Sequence, residues 1–248
     1  MDSNQATAHL SAIDEERFGI RTARVSQVAL ETLPTVLDFC RRQDVVLLIA
    51  RCLCSELGAA QAMEREGFRL MDTLVYCTRN LTRSPIPSDT GRIPIRLFRP
   101  GEEEPVRAVA AESFRGYFGH YHADNRLERS KCDEAYVSWA MRSCASRQVA
   151  DEVLVAEWEG SIVGFFTLRL NSAEEGEAVV GGVLPSVQGH GVYRSFIMQG
   201  MAWCASKGAK SMVVSTQITN VAVQKVWARL GFEPSHAYYT FHKWFDEP

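Results

Sequence analysis

The sequence predicts an α+β fold, a mixed but mostly antiparallel sheet flanked by helices, on three observations. A strand, helix, strand unit occupies the first third of the chain, and a second such unit closes it. Between them two strands meet at Glu159-Gly160, a dipeptide that signals a tight hairpin. This order of elements, strands in runs rather than in strict alternation with helices, argues against an all-parallel sheet.

Taken in order, Val45 to Cys52 is apolar throughout except for Arg51, as in a strand covered on both faces. In SELGAAQAMEREGF, Ser55 is placed to cap a helix whose Leu57, Ala60 and Met63 recur at helical spacing, and Gly67 ends it before a strand near Leu70 to Cys77. A strand in IPIRLF and a helix through VRAVAAESF follow. Next come the aromatic, His-bearing segment RGYFGHYHAD, in which His120 and His122 share a face if it is extended, and a helix in CDEAYVSWAMRSCAS. EVLVAEWEG and SIVGFFTLRLN form the hairpin. AVVGGVLP is a further strand, and its Gly181-Gly182 pair suits a bulge or merely a bend. A helix then runs from about Val192 to Lys207 and stops at Gly208. SMVVST, NVAVQKVWARLGF and SHAYYTFHKWF give the closing strand, helix and strand.

The two strand, helix, strand units align without a gap. Gly67-Phe68 falls on Gly231-Phe232, Glu56 on Asn220, Met63 on Trp227, and the run LLIA on MVVS, which points to an internal duplication. The Pro-, Ser- and Gly-rich stretch between them reads as a linker. We therefore expect an N-terminal unit over 1–82, a linker over 83–92 and a larger domain over 93–248.

Composition narrows the function. The chain has 248 residues, 46% of them hydrophobic, enough for a sizeable core. A net charge of -3 leaves no excess of Lys and Arg to hold a nucleic-acid backbone. The N-terminal residues lack the basic flank and apolar core of a signal peptide. No apolar run approaches the roughly 20 residues of a membrane span, so we expect a cytoplasmic protein without a membrane partner. Cys40, Cys52, Cys54, Cys77, Cys132, Cys144 and Cys204 include no Cys-x-x-Cys pair and no His at zinc spacing; reduced thiols and no metal site are expected.

The chemistry concentrates at Gln188-Gly189-His190-Gly191-Val192-Tyr193, between a strand ending at Pro185 and a helix with the stripe Tyr193, Phe196, Ile197, Gly200, Met201 and Cys204. Glycines let a backbone approach a ligand, and the free N–H groups of a first helical turn favour an anion such as pyrophosphate; a plain structural turn needs the same residues. Neither the third Gly of a Rossmann turn nor a Gly-Lys-Ser/Thr ending is present.

These residues resemble the pyrophosphate loop of the GNAT superfamily of N-acetyltransferases, Gln/Arg-x-x-Gly-x-Gly/Ala, with Gln188 and Gly191 at the matching positions and Tyr193 departing from the final small residue. Asn220, Trp227 and Leu230-Gly231-Phe232 are similar to the family's Asn, Tyr and Leu-Gly-Phe. The resemblance spans roughly 93 to 245. EERFGIRTARV, STQITN and AYYTFHKWF make the full layout similar to the TDP-fucosamine acetyltransferases, which pair a truncated N-terminal GNAT-like unit with a complete GNAT domain.

The resemblance implies acetyl-CoA or another acyl-CoA as co-substrate and transfer to a small-molecule amine, on a nucleotide-linked amino sugar. A small-molecule, amino-acid or antibiotic amine is the alternative, as is an acyl-CoA-binding protein without turnover. It places the pantetheine arm along Val179 to Leu184 and implies cofactor contacts at Val183, Leu184, Gln188, Gly189, His190, Gly191, Val192, Tyr193, Asn220 and Trp227. The family also allows a homodimer. Asn220 serves equally as a helix cap and Trp227 equally as core.

An amine must attack neutral, so a base is needed. His122 and Glu177 are candidates, with Tyr238 for the acid, because the indole of Trp227 stands where the family has its acidic Tyr and cannot donate a proton near neutral pH. Tyr193 and Tyr239 are further substitutes. His120, Tyr121, His122 and Tyr239 are candidate acceptor contacts, while His236 and His242 read as structural.

Overall fold

A computed structural model describes residues 7–88 and 91–246. Its strands and helices run β1 His9–Leu10, α1 Ala12–Phe18, β2 Thr22–Val25, α2 Leu33–Arg42, β3 Leu47–Leu53, α3 Leu57–Arg65 and β4 Arg69–Asn80. There follow β5 Ile95–Leu97, α4 Glu103–Ser113, α5 His120–Ala123, α6 Arg129–Ala145, β6 Glu152–Trp158, β7 Ser161–Leu170 and β8 Glu175–Val183. Then come α7 Val192–Ser206, β9 Ser211–Gln217, α8 Val221–Arg229 and β10 Glu233–Trp244. All ten strands join one sheet, ordered β1-β2-β3-β10-β4-β9-β8-β7-β6-β5. Only β2–β3 and β8–β9 run parallel among the described residues, so the expected mixed, mostly antiparallel sheet is what forms. No described helix is long and apolar enough to cross a membrane.

The sheet crosses the 83–92 boundary without interruption. β10 lies antiparallel between β3 and β4, and β4 lies antiparallel beside β9. Each strand, helix, strand unit therefore sends its second strand into the other unit. The pairings repeat under one spacing: the shift that carries Gly67 to Gly231 carries Leu53 to Gln217 and Leu74 to Tyr238. Correspondingly, Tyr238 pairs with Leu53 while Leu74 pairs with Gln217. Tyr238 and Leu74 also pair with each other, which puts an approximate two-fold axis between them. The same shift carries β3 onto β9, and the parallel pairings correspond, Thr22↔Leu47 to Glu175↔Ser211 and Val25↔Ala50 to Ala178↔Val214, although β2 and β8 are related by a different spacing. With this spacing Leu48, not Leu47, meets Met212, so the alignment of LLIA with MVVS is one residue out.

Helices cover both faces. On one, α2 and α3 close over Leu48, Ala50 and Phe241, and α7 and α8 over Phe166, Met212 and Val214. On the other, α1, α4 and α6 close over Leu47, Ile49, Val155, Phe165 and Trp244. Local chemistry sets the ends: α1 has Asp14 and Glu15 in its first turn and Gly19 in the left-handed conformation after its last. The β6–β7 turn uses Glu159 at φ 51° and Gly160 at φ 75°, matching the twist of the flanking strands.

Two expectations fail locally, and four N-terminal elements were not anticipated. Glu56 rather than Ser55 precedes α3. RGYFGHYHAD contains the one-turn helix α5 and is not extended there, so His120 and His122 point to different surroundings rather than sharing a face. The N-terminal elements β1, α1, β2 and α2 carry too short an apolar period to be read individually, although α2 is strongly two-faced, with Leu33, Val36, Leu37 and Cys40 buried.

Candidate functional site

The parallel ladder between β8 and β9 stops at Ala178↔Val214. Its cause is a bulge: Ala178 pairs with Leu168 and Gly181 with Phe166, so β8 has one residue more than β7 over this stretch. Thr167 fills the gap, its hydroxyl accepting from Val180 N–H and donating to Val180 O, both at 3.0 Å. β8 continues along β7 to Val183 while β9 continues along β4 to Gln217. The two diverge into a wedge in which the β9-facing backbone of Val179–Val183 has no strand partner among the described residues. The bulge thus sits at Val179–Val180, beside the glycine pair and not on it. Gly181 and Gly182 answer to crowding instead: a Cβ would stand 2.5 Å from Phe166 Cδ2 at the first and 2.8 Å from Ser113 Cβ at the second.

Val183 and Leu184 end the wedge strand, with Leu184 N–H donating to Val163 O at 2.9 Å. After a single 3₁₀ turn over Pro185–Val187 the exposed Gln188–Gly191 turn leads into α7. Gly189 and Gly191 have φ of 82° and 81°, with nothing within 4 Å of a Cβ on either. Here glycine is demanded by backbone conformation while the space above stays open. The His190 ring nitrogen lies 3.2 Å from Gln188 O and braces the turn. The first N–H groups of α7, from Val192 onward, have no intrahelical acceptor and bear the positive end of the helix dipole. An extended edge leading to a glycine turn and a helix N-terminus is a binding surface for a chain-like ligand ending in phosphates.

Behind the wedge, Trp227 is buried and its Nε1–H donates to the Tyr193 hydroxyl at 3.0 Å. Burial pushes the Tyr193 phenol well above its usual range, although the indole hydrogen bond opposes this, so Tyr193 is a poorer acid than a free tyrosine. Asn220 caps α8, accepting from Val223 N–H at 3.4 Å, and its amide donates to Thr216 Oγ1 at 3.0 Å. Both Asn220 and Trp227 reach the wall of a cavity of about 790 Å³ that opens from the wedge.

That cavity extends from Val179–Gly181 and Gln217 across to Arg51 on β3 and Arg24 on β2. Tyr117, whose hydroxyl donates to Gln217 Oε1, ties the α5 approach to the mouth of the wedge. His120 and Tyr121 line the cavity. His122 does not: its side chain is fully enclosed, 3.2 Å from Gly119 N–H and 3.0 Å from Asp133. Tyr238 is occupied by Gln27, which donates to its hydroxyl at 2.8 Å. Tyr239 lies on the opposite face, packed with the Phe241 cluster. A one-residue step along β10 turns Tyr239 to the face opposite Tyr238, and the α5 turn carries His122 away from His120. Glu177 does line the cavity, with Arg169 at 2.5 Å.

The wall is cationic. Arg17, Arg24, Arg51, Arg142 and Arg169 line it against the one carboxylate of Glu177. Arg24 is engaged with Asp14 at 2.5 Å and with Tyr121. Burial alone would raise the Asp14 carboxyl, but the hydrogen bonds and charge of Arg24 outweigh it and hold Asp14 at about 2. Deeper in, Asp124 accepts from His242 at 2.7 Å and from Trp244 Nε1 at 2.9 Å, and His242 Nε2 lies 2.9 Å from His120 Nδ1. Neither Arg51 nor the Asp124–His242 pair was singled out from sequence for this site; Arg51 as the lone charge in an apolar strand was the available signal.

Residues 111–232 match the Acetyltransferase (GNAT) family. A mycothiol acetyltransferase of Streptomyces griseus is 27% identical over 62% of this chain and 49% of its own length. The spore coat polysaccharide biosynthesis protein SpsD of Bacillus subtilis is 23% identical over 58% of this chain and 48% of its own. This chain spans about half the length of these curated relatives. A GCN5-related N-acetyltransferase from Sphaerobacter thermophilus superposes with a TM-score of 0.67 at 17% identity, over 97% of this chain and 76% of that one. The splayed strands, the glycine turn and the superposition agree that this chain has the GNAT fold, and its residues 111–232 are similar to the Acetyltransferase (GNAT) family.

Proposed function

We propose that this chain binds an acyl-CoA along Val179–Leu184 and the Gln188–Tyr193 turn, and transfers an acetyl or other short acyl group to a primary amine on a nucleotide-linked amino sugar. The observation that carries the reading is the wedge: an unpaired strand edge running into a glycine turn and a helix N-terminus. The amide-bearing pantetheine arm adds to such an edge by backbone hydrogen bonds, and the pyrophosphate suits the turn. Trp227 and Asn220 shape the wedge from behind.

Support for the acceptor comes from the cationic wall, which favours a substrate carrying phosphate or carboxylate. The names of the relatives support acetyl transfer in one case and a polysaccharide pathway in the other. The symmetric register supports reading residues 1–82 as a truncated GNAT-like unit that supplies acceptor contacts to the domain over 93–248. Binding without turnover is the second reading, favoured by the Tyr193 hydroxyl being held by Trp227.

Calorimetry with acetyl-CoA tests the first step. Wild type should bind, and Gly191→Trp, which obstructs the turn, should lose at least about tenfold in affinity, about 1.4 kcal/mol. Absence of binding in the wild type overturns the proposal. Binding with no acetylation of UDP-glucosamine or any other amine in a panel favours the second reading.

A further inference from the structure

Asp124, His242 and His120 form a continuous hydrogen-bonded line that ends at the cavity. Asp124 and both imidazoles are almost wholly enclosed. Trp244 Nε1 and Arg126 N–H complete the acceptor needs of Asp124, so its carboxylate is fixed in place. A carboxylate accepts only; hence Nδ1 of His242 carries the hydrogen, and neutral His242 presents a bare Nε2. That nitrogen accepts from Nδ1–H of His120. Neutral His120 is then left with a bare Nε2, which has no hydrogen-bond partner among the described residues, on a side chain that lines the cavity.

We propose that His120 Nε2 is the base that takes the acceptor's proton, with His242 and Asp124 as positioning residues that fix its tautomer. This rests on the acyl-transfer reading above. As the amine nitrogen bonds to the thioester carbon, its proton passes to Nε2 of His120 and the carbon–sulfur bond breaks. The same proton then goes to the departing sulfur, so amide and free thiol are the products and His120 ends as it began. The Asp124 carboxylate, two bonds down the line, offsets the transient positive charge. Burial first, then His242, Arg24, Arg51 and His122, lower the proton affinity of His120, which keeps it neutral across the ordinary pH range and makes it a weaker base than a free imidazole. An anionic acceptor paired with Arg51 would offset part of that penalty only when substrate is bound.

Nitrogen-15 NMR of the wild-type protein reads the tautomer directly, without an acceptor. His120 should show Nδ1–H with a bare Nε2; the Nε2–H form overturns the proposal. In turnover of UDP-glucosamine with acetyl-CoA, His120→Ala should lower kcat by about 10²-fold or more. His242→Gln should lower kcat by about tenfold with KM for acetyl-CoA unmoved, and Asp124→Asn should shift the His120 resonances. Wild-type turnover with His120→Ala unaffected sinks the relay alone, whereas failure of acetyl-CoA to bind sinks the transfer reading and leaves the NMR result to stand by itself.

Discussion

The two halves of the sheet share a register but treat the same position in opposite ways. In the C-terminal half the parallel ladder ends at Ala178↔Val214 and the strands part. In the N-terminal half it ends at the equivalent Val25↔Ala50, but the chain turns back at once and Val28 N–H donates to Arg51 O at 2.8 Å, closing the gap. The following helix differs too. α7 begins after two left-handed glycines, whereas α2 begins after Thr32, whose hydroxyl exchanges hydrogen bonds with Ala29, and has Pro34 in its first turn. One sheet architecture thus supports an open ligand edge or a closed one, and a bulge and two glycines make the difference. What the N-terminal half keeps is Arg51, equivalent to Ser215, directed into the shared cavity.

Exchanging equivalent residues tests that contrast most severely at the buried pair Met63 and Trp227. Trp227→Ala should cost about 3–5 kcal/mol and Met63→Ala about 2–5 kcal/mol in urea unfolding. Only the first should also weaken acetyl-CoA binding, since only Trp227 backs a wedge; equal effects on binding would erase the functional distinction between the halves.

At Arg51 the expected effect is smaller. Replacing it with its counterpart, Arg51→Ser, should raise KM for an anionic acceptor about tenfold, about 1.4 kcal/mol, and leave the acetyl-CoA Kd unchanged. A matching loss for a neutral amine would show that Arg51 shapes the pocket rather than reading charge.

The pH dependence of stability divides between the halves. His120 stays neutral when folded but takes a proton near pH 6.5 when unfolded, so stability should fall as pH drops through about 6.5. Asp14, held at about 2 in the fold against an unfolded value of about 3.9, keeps its contribution above about pH 4 and loses it toward pH 2. Urea midpoints across this range should show both declines, and His120→Gln should remove the first.

Much of the C-terminal half was legible. Glycine pairs, hairpin dipeptides and the spacing of Asn220 to Gly231 are local signals, and local chemistry decides those turns and caps. The strand exchange was not, because β4 and β10 alternate alike and either would fit beside β3 or β9; register across a sheet is a tertiary choice. The face of Tyr239 follows from simple alternation, one residue beyond Tyr238 on the same strand, whereas the separation of His120 from His122 does not: a two-residue spacing means one face on a strand and two directions on a helical turn. The Trp227–Tyr193 bond and the Asp124–His242–His120 line join segments far apart in sequence, with no periodicity to reveal them.

The crossing of β4 and β10 also orders events in time. A ribosome delivers the chain from its N-terminus at roughly 5–20 residues per second. Leu47–Leu53 and Arg69–Asn80 therefore emerge many seconds before Glu233–Trp244, the strand that must lie between them. Throughout that interval both strands present open edges, with β4 able to pair wrongly with β3, the partner nearest in sequence. The nascent protein is thus most exposed to mispairing between the synthesis of Asn80 and that of Glu233, and slowing translation after Asn80 should lower the yield of soluble product more than slowing it before Leu47.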